Sequence, residues 1–318
     1  MTPIRSALLA AAVGLALSAG AAAPALADSG KPYIAIVSKG FSQQYWQAVK
    51  HGAEEEAQKK GARITFEGPP TESDVAIQMN QLTAALNKHP DAIGFAALDS
   101  QAAAPMMMQA KSEGIPVIAF DSGVKSDVPV STVATNNKAA GAEAAKHMAK
   151  LLHDKGTVGL IIHDQTSVSG TDRRDGFMNW MKKNAPNIKM LRPQYSNSDM
   201  SKAADITKAI LASHPHLDGL FASNEASAEG MALGIKESGR KNIVAIGFDS
   251  GKAQIDAIKN GVLTGSITQN PVGMGKDMVD TALKVIHGKS VPKTIDTGFY
   301  WYDKSNMDEP KIQKNLYQ

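Results

Sequence analysis

Short apolar runs alternate with longer amphipathic segments along most of the chain. The first run, KPYIAIVS at 31–38, is typical of a short buried strand. The segment that follows, 44–60, carries Trp46, Val49 and Ala53 at spacings of three and four residues, which predicts a helix with one apolar face. Because this strand–helix alternation recurs, we predict an α/β fold with parallel sheets covered by helices on both faces.

The same pattern predicts elements as far as residue 302. The predicted strands are 31–38, 62–66, 90–97, 115–120, 157–163, 188–191, 217–222, 242–247 and 262–269. The predicted helices are 44–60, 73–88, 102–113, 138–153, 172–184, 200–213, 226–238, 253–260 and 273–288. The stretch 130–137 is interpreted as a link between two cycles of elements, and 294–302 as a final segment.

The chain contains an internal duplication. The tetrapeptide Phe-Asp-Ser-Gly ends a predicted strand at 120–123 and again at 248–251. Two more pairs of similar segments precede the copies in the same order: LNKHP at 86–90 with LASHP at 211–215, and KSEG at 111–114 with KESG at 236–239. This ordered series predicts two similar doubly wound domains. The elements after the second copy are too few for a third domain, so we expect the chain to cross between the two more than once.

The first 27 residues have the pattern of a cleavable signal peptide. One basic residue, Arg5, precedes an apolar run at 7–17, and Ala25-Leu26-Ala27 gives the small-residue cleavage pattern. A transmembrane anchor is the alternative, but the run is short for a bilayer. Because the segment contains no Cys, we expect no lipid anchor there.

Composition narrows the function further. The 318 residues are 43% hydrophobic and 20% charged, with a net charge of +3 that becomes +2 without Arg5. Because the basic and acidic residues are nearly equal in number, the charge does not favour nucleic acid as a partner. The chain has no cysteine, which excludes disulfides, thiolate metal sites and a Cys nucleophile. It also lacks a Gly-rich phosphate loop and the HExxH and GxSxG motifs, so we predict no cofactor, no metal ion and no catalytic residue.

Polar side chains follow the predicted strand ends, where open α/β sheets bind ligands. These candidates are Gln43–Trp46, Asp99, Asp121, Asn224, Asp249 and Gln269, with Arg173 at the start of a predicted helix. Carboxylates, amides and guanidinium suit the hydroxyl groups of a ligand, and the rings of Tyr45 and Trp46 suit its C–H face. The set therefore favours a sugar or cyclic polyol in a cleft between two domains.

Each candidate also has a purely structural interpretation. An Asp after a strand is often only a turn or cap residue. Trp46, at helical spacing, is more often a core residue, and Arg173 is equally compatible with a solvated helix start. His163-Asp164 looks like a catalytic fragment, but it has no nucleophile partner and a strand end is favoured.

Taken together, several segments resemble the periplasmic substrate-binding proteins of bacterial sugar ABC transporters, the ribose-binding-protein group of type I periplasmic binding proteins. This group shares its fold with the ligand domains of LacI-type repressors. The resemblance covers Lys31–Tyr302, and the segments that carry it are IAIVS at 34–38, QQYW at 43–46, GIPVIAFDS at 114–122, TNN at 135–137, TDRRDGF at 171–177, FASNE at 221–225, VAIGFD at 244–249 and ITQNP at 267–271.

The resemblance implies a ligand-binding role for each matching position. The aromatic pair that sandwiches the sugar falls on Tyr45 and Trp46, and the polar residue before it on Gln43. The other implied ligand contacts are the hydroxyl-binding Asp121 and Asp249, Arg173, Asn224 and the hinge-side Gln269.

Two positions depart from the ribose-binding pattern. Ser122 stands where an Arg follows the first Asp, and Ser198 stands where the second domain has an aromatic ring, with Tyr195 the nearest ring. These departures count against ribose itself, and Ser122 becomes a candidate specificity residue. They leave the sugar or polyol class in place, since the remaining carboxylates would repel an anionic ligand.

The resemblance also implies the domain division and the partners. The lobes would be 28–135 plus 270–296 and 136–269 plus 297–318, joined by a three-segment hinge with the ligand cleft between them. A monomer in the periplasm would bind a small neutral sugar or polyol, close over it and deliver it to ABC permease subunits.

Other functions remain open. A sensor that presents the sugar to a chemoreceptor or sensor kinase would use the same closed form. An exported sugar-acting enzyme would need a placed acid–base pair or a metal ion, and Asp121 and Asp249 could be misread as such a pair. A transcription regulator is excluded because a signal peptide occupies the place of its DNA-binding unit.

Overall fold

The computed structural model describes residues 30–317, so the predicted signal peptide at 1–27 lies outside the described residues. Among the described helices, none combines the length and the apolar character that a membrane span requires.

Strands and helices alternate through the described chain as the apolar pattern predicts. Up to the first crossing the elements are β1 (Tyr33–Val37), α1 (Gln44–Lys60), β2 (Arg63–Glu67), α2 (Val75–Leu86), β3 (Ala92–Phe95), α3 (Ala104–Ser112), β4 (Val117–Phe120) and β5 (Ser131–Ala134). The next elements are α4 (Asn137–Leu151), β6 (Gly156–Ile162), α5 (Val168–Asn184), β7 (Ile188–Met190), β8 (Gln194–Tyr195), α6 (Met200–Ser213), β9 (Gly219–Ala222), α7 (Glu225–Ser238), β10 (Val244–Phe248), α8 (Lys252–Lys259) and β11 (Gly265–Gln269). The last are α9 (Pro271–Ile286), β12 (Thr294–Asp296), β13 (Phe299–Asp303) and α10 (Pro310–Gln313).

Two sheets with the same strand order form the two lobes. The first lobe has the order β12-β5-β4-β3-β1-β2, and the second has β13-β11-β10-β9-β6-β7 with β8 also beside β6. All pairs are parallel except β11 with β13, where Gly265 faces Asp303 and Gln269 faces Phe299. The matching order confirms two similar doubly wound parallel-sheet domains.

Each sheet is covered by helices on both faces. In the first lobe, α1 and α9 pack on Ile34, Ile36 and Phe120. The opposite face of this sheet is covered by α2 and α3. In the second lobe, α4 and α5 cover one face, and α6, α7 and α8 cover the other.

The chain passes between the lobes three times: after β5, after β11 and after β12. Because of the second passage, α9 lies in the first lobe against α1, although it follows the whole run of second-lobe strands from β6 to β11. The third passage separates β12 in the first sheet from β13 in the second.

Two sequence-based expectations, for the stretch 130–137 and for the start of the helix that carries Arg173, need correction. The stretch 130–137 contains a strand, β5, which is too short and too polar to give an apolar run. The final segment, 294–302, contains the strands β12 and β13, which lie in different sheets because the chain crosses at 297–298. Helix α5 begins at Val168, with the Ser167 hydroxyl accepting from the Gly170 N–H, so Arg173 lies in its second turn and not at its start.

Candidate functional site

The two Phe-Asp-Ser-Gly copies form equivalent turns at strand ends on the two sides of the cleft. Asp121 directly follows β4, and Asp249 directly follows β10. Both have left-handed backbones, with φ of 56° and 81°, and both are buried. Asp is among the few residues that adopt this conformation readily. The backbone N–H of each donates to the neighbouring strand, at Val133 and Ile267 respectively.

Asp121 is bound on one carboxylate oxygen only. The Tyr45 hydroxyl donates to its Oδ1 at 2.7 Å. The Lys39 Nζ lies 3.3 Å from Oδ2, which accepts no hydrogen bond from the described residues. Burial works to lower the pKa of Lys39, but the charges of Glu72 and Asp121 outweigh it and raise the pKa above its usual value. Lys39 is therefore a buried cation held among carboxylates.

Asp249 is bound on both oxygens. Its Oδ1 accepts from Gln269 Nε2 at 2.7 Å, and its Oδ2 accepts from the Glu225 N–H at 2.9 Å. Burial raises the pKa of Asp249, and the nearby Arg173 charge opposes the rise. Gln269 in turn accepts from the Thr135 hydroxyl at 2.8 Å, so this network joins the first two crossing segments.

Arg173 is buried and fixed by contacts on several sides. Its Nε donates to Asn137 Oδ1 and its Nη1 to the Ser223 carbonyl, both at 2.8 Å. The guanidinium carbon lies 3.7 Å from the centroid of the Phe248 ring. A planar cation that is hydrogen-bonded at its edge and stacked on its face keeps one orientation, which suits recognition of a ligand.

Ser122 bridges the lobes. Its hydroxyl oxygen accepts from the backbone N–H groups of Val168 at 3.1 Å and Ser169 at 3.3 Å, in the first turn of α5. The Lys39 Nζ also reaches this turn and donates to the Ser169 hydroxyl at 3.0 Å. Ser122 thus binds the start of a second-lobe helix, in the position where the resemblance expects an Arg.

Asn224 caps α7 and also faces the other lobe. Its Oδ1 accepts from the Ser227 N–H at 3.0 Å. Its Nδ2 donates to Glu72 Oε2 at 3.1 Å and to the Ser198 hydroxyl at 3.0 Å. Both amide hydrogens are therefore directed at protein groups that line the cleft.

The aromatic pair is not arranged as two parallel walls. The rings of Tyr45 and Trp46 meet edge to face, with centroids 5.0 Å apart and planes at 83°. Trp46 is fully buried and also meets Phe120 edge to face. Tyr195 does not replace the missing second-lobe ring, because it packs with the core under α4 and α5 and its hydroxyl accepts from Arg174.

Gln43, the N-cap residue of α1, lies at the mouth of the cleft. A cavity of about 550 Å³ opens there between the lobes. Its lining residues come from both lobes: Ser42, Gln43, Gln44, Thr71, Ser73, Ser198, Asp199, Met200, Glu225, Ala226, Glu229, Lys252, Ala253 and Asp256. The Gln43 Oε1 is buried and accepts no hydrogen bond within the described residues.

The structure also separates one candidate from the rest. The Asp99 Oδ1 accepts from the backbone N–H groups of Gln101 and Ala102, so Asp99 stabilises a local turn. All the other candidates take part in the cleft contacts or line its mouth.

Sequence reasoning missed several buried groups of the cleft. These are Lys39, Glu72, Asn137, Ser169 and Glu225. The strand-end rule that selected the other candidates extends to Lys39, two residues after β1. Glu72 lies in an irregular Pro- and Thr-rich segment, where no periodic pattern marks it.

Glu225 joins the second lobe to the first turn of α1. Its Oε1 accepts from the Gln44 N–H and its Oε2 from the Tyr45 N–H, both at 2.9 Å. In return, the Lys252 N–H of the second lobe donates to Gln44 Oε1 at 2.6 Å. Burial, with the charge of Asp249 adding to it, raises the pKa of Glu225 to about 8.

His163 does not form a charged pair with Asp164. Burial, reinforced by the charges of Lys39 and Arg173, keeps the pKa of His163 well below its usual value. Its Nδ1 lies 2.7 Å from the Ser223 hydroxyl. Within the described part of the chain, no group of three His, Asp or Glu side chains is placed to hold a metal ion.

Comparison with known proteins adds four similarities, to one family, one relative and two solved structures. The sequence profile of a family described as periplasmic binding protein domain matches residues 34–290. The ribose import binding protein of Bacillus subtilis (strain 168) is 28% identical over 256 residues, which cover 80% of this chain and 82% of the relative.

Two solved structures share the fold. One is an ABC transporter solute-binding protein from Agrobacterium vitis with bound D-fucose, 36% identical with a TM-score of 0.87, covering 90% of this chain and all of that one. The other is a carbohydrate transporter solute-binding protein from Agrobacterium radiobacter in complex with D-arabinose, 29% identical with a TM-score of 0.88, covering 91% of this chain and 99% of that one.

Proposed function

The chain belongs to the periplasmic binding protein domain family, and on that premise we propose that it is the sugar-capturing component of an ABC importer. The ligand would be a neutral monosaccharide or polyol, bound between the two lobes. The observation that carries this proposal is the meeting of buried carboxylate and amide groups from the strand ends of both sheets with the buried guanidinium of Arg173 in α5.

The charges of the cleft favour a neutral ligand that donates hydrogen bonds. Glu72, Asp121 and Asp249 are buried there with two cations, Lys39 and Arg173. An anion would add to this excess of carboxylates. Hydroxyl groups would instead donate to acceptors such as Asp121 Oδ2 and Gln43 Oε1, which accept no hydrogen bond from the described residues.

Closure of the lobes would capture the ligand. We propose lobes of 28–135 plus 270–296 and 136–269 plus 297–318, with the three crossings as the hinge. A few residues at element ends suffice to absorb such a rotation. In support, three hydrogen bonds span the two lobes: Lys39 donates to Ser169, Ser122 accepts from Val168, and Glu225 accepts from Gln44.

We propose binding without catalysis, in the periplasm, with the closed form delivered to permease subunits by a monomeric protein. The transport context is supported by the similarity to a ribose import binding protein and to an ABC transporter solute-binding protein. A sensory use of the same closed form is the second candidate. An exported enzyme is less well supported, because Asp249 already accepts two hydrogen bonds and His163 is held neutral.

The test is a thermal-unfolding screen with D-ribose, D-fucose, D-arabinose, D-allose and xylitol, followed by calorimetry. We expect at least one to raise the unfolding midpoint, because a ligand that binds only the folded state stabilises it by mass action. If none does, and none binds in calorimetry, the assignment to this ligand class is wrong. Product in a long incubation with the bound sugar would instead indicate an enzyme.

A further inference from the structure

Glu72 is a buried carboxylate in an irregular segment of the first lobe, between β2 and α2. Its side chain is 8% exposed, and its neighbours Thr71 and Ser73 line the cavity at the mouth of the cleft. Removing a carboxylate from water is costly unless hydrogen bonds compensate for the loss. The bonding partners of Glu72 therefore show what the buried charge supports.

These partners come from both lobes. The Oε1 accepts from the Trp46 indole N–H at 2.7 Å. The Oε2 accepts from the Ser198 hydroxyl at 2.7 Å and from Asn224 Nδ2 at 3.1 Å. Trp46 lies on a first-lobe helix, whereas Ser198 and Asn224 lie at the ends of second-lobe elements. Glu72 thus fixes the indole ring and the carboxamide and links them across the cleft.

The same contacts make one wall of the cleft polar. Ser198 is buried and has a left-handed backbone with φ of 54°. The side chains that meet at this wall are a hydroxyl, a carboxamide and a carboxylate. A carboxylate has about four acceptor sites. Three are used by the protein, so Glu72 keeps one acceptor site on Oε1.

We propose that Glu72 is a specificity-determining residue, which selects a ligand that presents a hydroxyl group, and not an apolar C–H face, to this wall. The inference rests on the proposed capture of a sugar or polyol. A carboxylate that accepts a ligand hydroxyl rejects an analogue without that hydroxyl, because the acceptor is then left buried and unpaired.

The test compares Glu72→Gln with Glu54→Gln, a matched change on α1 where the carboxylate is 53% exposed. Dissociation constants are measured by calorimetry for the preferred sugar and for its monodeoxy analogues at each position. We expect the wild type to discriminate strongly against at least one analogue. The discrimination ratio is the dissociation constant of the analogue divided by that of the preferred sugar. Glu72→Gln should reduce this ratio by about tenfold or more, the size expected for a hydrogen bond to a charged group. Glu54→Gln should leave the ratio unchanged.

A second variant keeps the proposal testable if Glu72→Gln does not fold. Ser198→Ala removes a hydroxyl that donates to Glu72 but leaves the charge in place. It should lower the same ratio by a smaller factor. If both variants keep the wild-type ratios for every analogue, Glu72 does not determine specificity, even where overall affinity falls. If the wild type binds no sugar or polyol at all, the proposed function itself fails.

Discussion

The two aspartates at the ends of β4 and β10 share a backbone conformation but not a bonding state. Asp249 accepts from Gln269 and from the Glu225 N–H, so its position is fixed within the second lobe. Asp121 accepts only from Tyr45, and its Oδ2 faces the Lys39 ammonium without a hydrogen bond. Asp121 therefore retains more capacity for a ligand, whereas Asp249 has the more rigid position.

Replacing Asp249 tests the site at a single residue. In Asp249→Asn, the new side chain has nearly the size of Asp and tolerates the left-handed backbone. Its NH2 group, however, would face one of the two groups that donate to Asp249, Gln269 Nε2 or the Glu225 N–H. We expect sugar affinity to fall roughly 10- to 100-fold, with a loss of about 1–3 kcal/mol in stability. Calorimetry and thermal unfolding measure both, with Asp205→Asn as control, because the Asp205 carboxylate is 74% exposed and does not line the cleft. Wild-type affinity in the Asp249→Asn variant would remove Asp249 from the site.

At this scale, the sequence predicted residues that directly follow apolar strands. Asp121, Asp249 and Gln269 were found because the strand ends before them are unmistakable. Glu72 was not found, because it lies five residues beyond the end of β2 and its partners Ser198 and Asn224 are more than 120 residues away. A contact between two irregular segments leaves no periodic trace in either of them.

Helix packing depends on glycines at equivalent places in both lobes. A Cβ on Gly52 of α1 would overlap the Val272 carbonyl of α9, and one on Gly275 would overlap the Val49 carbonyl. In the second lobe, a Cβ on Gly176 of α5 would overlap the Lys138 carbonyl of α4. These obstacles are backbone atoms, which no side-chain rotation can move away.

The Gly52→Ala variant should separate α1 from α9. Overpacking of this kind costs about 1–3 kcal/mol or more, so we expect a clearly lower unfolding midpoint. Gly123→Ala is the control, because its nearest neighbour would be 3.9 Å away at Val168 Cγ2. Equal midpoints for the two variants would show that the α1–α9 crossing adjusts freely.

The sequence predicted the elements with long apolar patterns more successfully than the short ones. The prediction of 44–60 coincides with α1, whose stripe of Trp46, Val49 and Ala53 is entirely buried. Strand β5 was missed because its four residues, STVA, alternate between buried and half-buried positions and resemble a loop in composition. Its pairing with β12 is a long-range contact that local sequence does not encode.

For the whole molecule, we expect Glu225 to couple lobe closure to protonation. Its pKa rises from an ordinary 4.5 to about 8 when the side chain is buried against α1. If opening exposes the side chain, we expect the open form to release, between pH 4.5 and about pH 8, a proton that the closed form holds. The Glu225 contribution favours closure most at low pH and weakens as the pH rises toward 8.

Calorimetry in buffers of different ionisation enthalpy measures this coupling. At about pH 6.5, between the two pKa values of Glu225, we expect sugar binding to take up close to one proton, and Glu225→Gln to abolish most of that uptake. Undiminished uptake in the variant would assign the proton to another group, of which Asp249 is the first candidate because burial raises its pKa too.

The duplication predicted the two similar domains, but the crossings decide which residues complete each of them. Met274, Met278 and Val279 of α9 belong to the same core as Ile34 and Ile36 of β1. The edge strand β12 comes from still later in the chain.

These crossings affect the order in which the newly made chain can fold. Until α9 has been synthesised, this face of the first sheet has α1 but lacks the second of its two covering helices. The first lobe is therefore completed only after nearly all of the second has been made. For a chain that we propose is exported, we expect this late completion to keep the early part of the polypeptide unfolded for longer, which is the condition in which it would pass through a narrow translocation channel.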